Sequence, residues 1–139
     1  MNGALFLALL AAQALAQSGD QHSIQGVWKS PGGNSIIEIA PCGGNLCGTV
    51  VWASEKAKRD SRKATNQLVG TPLLTALKEK KEGHWQGKLF IPDKKMRVTA
   101  KIVLAGPDQL KVSGCAAGKA LCRSALWSRT EKPAAAATN

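Results

Sequence analysis

The chain has 139 residues, 44% of them hydrophobic, and carries 19 Lys and Arg against 9 Asp and Glu for a net charge of +10. That length is one domain with a slender core, and the basic balance favours anionic partners such as lipopolysaccharide, phospholipid headgroups, acidic polysaccharide or nucleic acid without choosing among them. Beyond the N-terminus no stretch is long and apolar enough to be read as a membrane-spanning helix.

The first element is Ala4–Leu15, an apolar run broken only by Gln13 and followed by Ala14-Leu15-Ala16. Small residues at the positions read by signal peptidase predict a signal peptide over 1–16, cleaved before Gln17, and so a periplasmic or secreted protein. The n-region has no Lys or Arg. Residues 17–25 read as a flexible N-terminal segment, 26–130 as a β-barrel domain, and the alanine-rich 131–139 as a disordered tail.

Within the domain, Gly26–Ser30 is a strand candidate followed by the breakers Pro31-Gly32-Gly33-Asn34. Ser35–Trp52 reads as a hairpin around Gly43-Gly44-Asn45-Leu46, with Cys42 and Cys47 on its shoulders. Pairing Cys42 with Cys47 sets 39 opposite 50 and 37 opposite 52, and gathers Ile37, Ile39, Pro41, Val50 and Trp52 on one apolar face. A polar, basic insert fills 54–66. Pro72–Lys78 reads as a short docked helix, with Pro72 at its first position and Leu73, Leu74 and Leu77 sharing a face. Four further runs alternate as strands: His84–Pro92, Arg97–Ala105, Gln109–Ala116 and Ala120–Arg129. Ala105-Gly106-Pro107-Asp108 forms a tight turn between two of them.

The 4 cysteines of an exported domain read as two disulfides, with three connectivities open. Spacing favours the local pairs Cys42–Cys47 and Cys115–Cys122. Pairing Cys115 with Cys122 sets 112 opposite 125 and 110 opposite 127. This groups Leu110, Val112, Gly114, Ala125 and Trp127 inward and leaves the cysteines on the more polar face. Zinc is the competing reading, but neither histidine lies near these spacings. Sequential short strands joined by tight turns predict an all-β, single antiparallel up-and-down barrel of 7–8 strands with one short helix.

Gly26-Val27-Trp28, Ile37-Glu38-Ile39, Pro41-Cys42-Gly43, Leu46-Cys47-Gly48, Val51-Trp52 and Leu126-Trp127-Ser128-Arg129 together resemble an exported bacterial family known as domain of unknown function 2147. The similarity covers Gly26–Arg129. It implies a lipocalin-like (calycin) barrel around a small cavity. It also implies that Trp28 packs against Arg129 to close the barrel floor, a structural role. The chain departs from the family's pattern around Asp60 and Asn66 and again at Ile91–Arg97, and the resemblance supplies no catalytic residue.

The chemistry available is narrow. His22 and His84 stand alone, no nucleophile elbow or HExxH occurs, and the thiols are committed to disulfides. The expectation is therefore no enzyme, no catalytic residue, no cofactor and no metal. Trp52, Trp85 and Trp127 fall on apolar faces, as core or as the wall of a ligand pocket. Arg123 points inward near one rim, where a guanidinium could hold a carboxylate or phosphate, or could instead snorkel to solvent. The leading expectation is a barrel that binds a small apolar or amphipathic molecule, an anionic one included, through Arg123, Trp52, Trp85 and Trp127. The alternative is a cell-envelope surface protein whose basic runs 56–63, 78–81 and 94–97 bind anionic lipid or polysaccharide. A barrel-type protease inhibitor is a third option. Few aromatics interleave with the basic runs, which argues against nucleic acid, and nothing fixes the oligomeric state.

Overall fold

Period-two alternation in the sequence becomes an all-antiparallel closed barrel in the computed structural model, which describes residues 23–116 and 121–133. Its strands are β1 (Gly26–Lys29), β2 (Ser35–Cys42), β3 (Asn45–Ala53), β4 (Pro72–Lys81), β5 (His84–Ile91), β6 (Met96–Leu104), β7 (Gln109–Ala116) and β8 (Leu121–Arg129). Each pairs with the next, and β8 returns to β1. One helix, α1 (Glu55–Asp60), and single 3-10 turns at Pro31–Gly33 and Pro92–Lys94 complete the described elements. The signal-peptide expectation for 1–16 and the tail beyond Pro133 lie outside the described residues. Of the segment 17–25 expected to be flexible, 17–22 also lie outside them, whereas Ile24 is fully buried in the core.

The expected helix over Pro72–Lys78 is overturned: this stretch is the first part of β4. Leu74 and Leu77 are both fully buried although three residues apart, a spacing that in a flat strand would put them on opposite faces. The ladder to β5 shifts between Thr75 and Lys78, and Ala76 sits there with φ +53°. A bulge with one residue in the left-handed region inserts the extra position that restores both leucines to the inside. The short helix is instead in the polar insert. Ser54 caps it by accepting from the Ala57 amide at 3.0 Å, and Glu55 occupies its first turn with Lys58 and Arg59 in the last. That charge order complements the helix dipole.

The β2–β3 register also differs from expectation, by two residues. Cys42 pairs with Asn45, Ala40 with Cys47, Ile39 with Gly48 and Ile37 with Val50. The turn is Gly43-Gly44 alone, with φ +63° and +91°, the left-handed pair that a two-residue hairpin of this hand requires. A two-residue slip keeps the faces, so Ile37, Ile39 and Val50 are buried as expected. Cys42 and Cys47 bond diagonally across the ladder. Pro41 is exposed. A second irregularity, with Ile37 opposite Val50 but Ile36 opposite Trp52, leaves Val51 unpaired. The alternation flips there, so Ala53 enters the core and Trp52 leaves the inner face.

In the β5–β6, β6–β7 and β7–β8 hairpins the ladders run as the alternation dictates. Cys115 lies opposite Cys122, Val112 opposite Ala125 and Leu110 opposite Trp127, and Cys115–Cys122 is disulfide-bonded. The core runs from Ile24 and Trp28 through Ile37, Ile39, Val50, Leu74 and Leu77 to Ile102, Leu110 and Trp127.

Candidate ligand cavity

Up-and-down order sends alternate connections to opposite ends of the barrel. One end gathers the Gly43-Gly44 turn, the β4–β5 and β6–β7 turns, Ser23–Gln25 and the last residue of β8. Arg129 caps it over Trp28, beside a more open hollow of about 560 Å³ lined by Leu46, Leu77 and Trp85 among others. The Arg129 guanidinium lies 4.2 Å from the centroid of the Trp28 ring. It donates to the carbonyls of Pro107 at 3.0 Å, Gln25 at 3.1 Å and Ser23 at 3.4 Å. Trp28 is fully buried and its indole N–H donates to the Ile24 carbonyl at 2.9 Å. One cation thus ties the segment before β1, the β6–β7 turn and the floor tryptophan together.

The opposite end carries α1, the Pro92–Lys94 turn and the start of β8, and among the described residues it stays open. The reason lies in side-chain size. Inward positions of β2 and β4 hold Ile37, Ile39, Leu74 and Leu77 and fill their half of the barrel. Of the inward positions of β7 and β8 near this end, Gly114, Ala116 and Ala125 are too small to do the same. The result is a cavity of about 540 Å³ between β5, β6, β7 and β8. Its apolar wall comes from Leu89, Ile91, Val98, Val112, Ala125 and Trp127, with Met96 and Leu121 at the rim. Its charged lining groups are both cations, Lys94 and Arg123, and neither has an ion-pair partner among the described residues. Arg123 stands opposite Gly114 in the ladder, which leaves room beside it.

The tryptophans and arginine singled out in the sequence are therefore divided. Arg123 and Trp127 share this cavity. Trp85 does not: it lies toward the closed end, packed against the core beside Leu46 and Leu77, and its buried indole N–H has no acceptor among the described residues. Trp52, displaced by the β3 bulge, lines neither region. Lys94, Met96, Leu89 and Val98 complete the cavity without having been anticipated. The run of small inward residues at Gly114, Ala116 and Ala125 was the available signal, because it marks where the barrel cannot fill itself.

A smaller cavity of about 190 Å³ adjoins this end, between α1 and the Pro92–Lys94 turn, and includes Lys56, Asp60, Leu68 and Asp93 in its lining. Lys56 donates to Asp60 at 2.8 Å, and this hydrogen bond, with the charges of Lys56 and Arg59, holds the Asp60 carboxyl below its usual value. The basic runs 56–63 and 94–97 thus meet at one end, while Lys78–Lys81 lies at the other. Among the described residues no cluster of His, Cys, Asp and Glu could hold a metal ion, and no helix is long and apolar enough to cross a membrane.

The model of a family described as an uncharacterized protein conserved in bacteria (DUF2147) matches residues 26–129. A comparison with curated proteins finds no match. Among solved structures the chain is similar to protein HP1028 from Helicobacter pylori, described as belonging to the lipocalin family. The TM-score is 0.60 at 10% sequence identity, over 78% of this chain and 84% of that one. At that identity the likeness is one of fold.

Proposed function

Starting from a chain that belongs to the bacterial family of domain of unknown function 2147 and folds as a lipocalin-like barrel, we propose that it binds a small amphipathic molecule with an anionic head. The apolar body lies along Leu89, Val98, Val112 and Trp127, and the head meets Arg123 and Lys94 at the mouth. The observation that carries this reading is the cavity's composition: apolar walls, two cations at the rim with no ion pair among the described residues, and no carboxylate in the lining. Its volume of about 540 Å³ suits a small-molecule site, which typically spans about 300–1,000 Å³. The role is binding and not catalysis, in the periplasm or outside the cell after removal of residues 1–16. Two disulfides in a family conserved in bacteria support that compartment.

The test is titration with dodecanoate, dodecanol and dodecylamine, followed by native mass spectrometry and tryptophan fluorescence. Dodecanoate is expected to bind best. Arg123→Glu should weaken dodecanoate about tenfold or more, the worth of one charge-assisted hydrogen bond, and leave dodecanol within about twofold. Ala125→Leu, which fills the cavity, should abolish binding of both. If all three compounds bind equally and neither variant changes anything, the reading fails.

A further inference from the structure

We propose that the open end of the barrel is a docking surface for an anionic phospholipid bilayer, oriented so that the mouth between Met96 and Leu121 faces the lipid. The surface goes beyond the cavity reading above, and only the delivery of ligand from lipid to cavity rests on that reading.

Two independent features meet at this end. The first is charge. The helix region supplies Lys56, Lys58, Arg59, Arg62 and Lys63, and the β5–β6 turn supplies Lys94 and Lys95. The two groups approach across the small cavity shared by α1 and Pro92–Asp93, and they outnumber the local carboxylates Glu55, Asp60 and Asp93. Those carboxylates do not neutralise the surface: Glu55 and Asp60 pair with Lys58 and Lys56, which leaves Arg59, Arg62, Lys63 and Lys95 without an ion pair among the described residues. At the closed end the basic run is interrupted by Glu79 and Glu82, so field strength differs between the ends.

The second feature is apolar exposure. Leu121 is 69% exposed and Met96 38% exposed, and both stand at the cavity rim beside Arg123 and Lys94. Cations around exposed apolar side chains match an interfacial surface, where headgroups pair with the charges and the apolar tips enter the acyl boundary. An acidic polysaccharide or nucleic acid would use the cations but gain nothing from Met96 and Leu121. This is why the bilayer is the occupant the surface fits. Docked this way, a lipid-borne amphipath would meet the cavity mouth without crossing bulk water.

The experiment is sedimentation of the purified protein with vesicles of phosphatidylcholine alone and of phosphatidylcholine and phosphatidylglycerol in equal parts. Unfolding midpoints are measured for every variant. Binding is expected only to the anionic vesicles. Arg62→Glu with Lys95→Glu, neither residue a cavity wall, should weaken it at least about tenfold. Lys80→Glu with Lys81→Glu, the same charge change at the closed end, should weaken it less than about threefold. Met96→Ser should weaken vesicle binding and leave binding to dextran sulfate unchanged. Equal losses from the two charge-reversed pairs would overturn oriented docking in favour of net charge. Dextran sulfate binding as tight as vesicle binding, with Met96→Ser inert, would overturn the bilayer in favour of a polyanion. Dodecanoate affinity separates the two proposals. Arg62→Glu with Lys95→Glu should retain it, and vesicle binding without any dodecanoate binding would sink the cavity reading while docking stands.

Discussion

At the scale of single residues, the closed end is decided by Arg129 and by what stands aside for it. Gly26 has φ +133°, and a Cβ there would come within 2.6 Å of Arg129 Nη1. Gly26→Ala therefore suffers twice, from a backbone conformation that L residues rarely adopt and from displacement of the guanidinium off Trp28. Gly44, with φ +91° and open space where its Cβ would lie, provides the comparison, because Gly44→Ala suffers only the backbone strain. Urea unfolding should show Gly26→Ala losing about 2 kcal/mol or more and Gly44→Ala about 1 kcal/mol. Equal losses would mean that the guanidinium moves away at no cost. Residue identity alone did not reveal these contacts. The G-x-W opening and the closing Arg129 were legible as a pair through a resemblance, whereas the carbonyls of Ser23, Gln25 and Pro107 that fix the arginine come from three separate segments and leave no mark in composition. Trp52 shows the opposite case. It alternated correctly with Val50, but one unpaired residue, Val51, turned it out of the barrel.

At the scale of elements, alternation located the strands wherever the ladder is regular and failed where it is not. The β5–β6, β6–β7 and β7–β8 ladders have no register shift, and their inward residues could be read directly from the sequence. In β4 the shift at Ala76 converts a period-two pattern into Leu74 and Leu77 three apart, the spacing of a helix face, and Pro72 reinforced that reading. A bulge is a tertiary solution to keeping both leucines inside, and its sequence signal would have been a glycine. This chain has alanine with φ +53° there. A left-handed residue costs about 1–2 kcal/mol, and glycine removes that while adding about 0.5–1 kcal/mol of unfolded-state entropy. Ala76→Gly should therefore raise stability by about 0.5 kcal/mol, and Ala76→Val, with a branched side chain in the left-handed region, should lower it by more than that. Denaturant midpoints check both, and loss of stability in Ala76→Gly would show that the bulge is not strained at this residue.

For the whole molecule, the two ends of one barrel are built differently, and the disulfides follow that division. Cys42–Cys47 staples a hairpin at the closed end that glycine turn chemistry and the Ile37, Ile39 and Val50 core already hold. Cys115–Cys122 lies at the open end, where the barrel is least supported. β1 stops at Lys29, so β8 pairs with it only through Arg129 and Ser128. From Trp127 back to Leu121 the only ladder partner of β8 among the described residues is β7. That singly supported stretch carries Leu121, Arg123, Ala125 and Trp127, a large part of the cavity wall. Short-loop closure gives each bridge about 2 kcal/mol in the chain-entropy account, so similar global losses are expected when either is removed as a Cys→Ala pair. Their functional effects should differ. Without Cys42–Cys47 the remote cavity keeps its wall, and dodecanoate affinity should stay within about twofold once the protein is folded. Without Cys115–Cys122 the ends of β7 and β8 are free to fray, a local opening far cheaper than global unfolding. Dodecanoate affinity should then fall well beyond the twofold margin, and amide exchange should quicken from Ser113 to Ala116 and from Leu121 to Ser124. Exchange that quickens equally throughout the barrel would mean that this disulfide stabilises the whole fold and not the cavity wall.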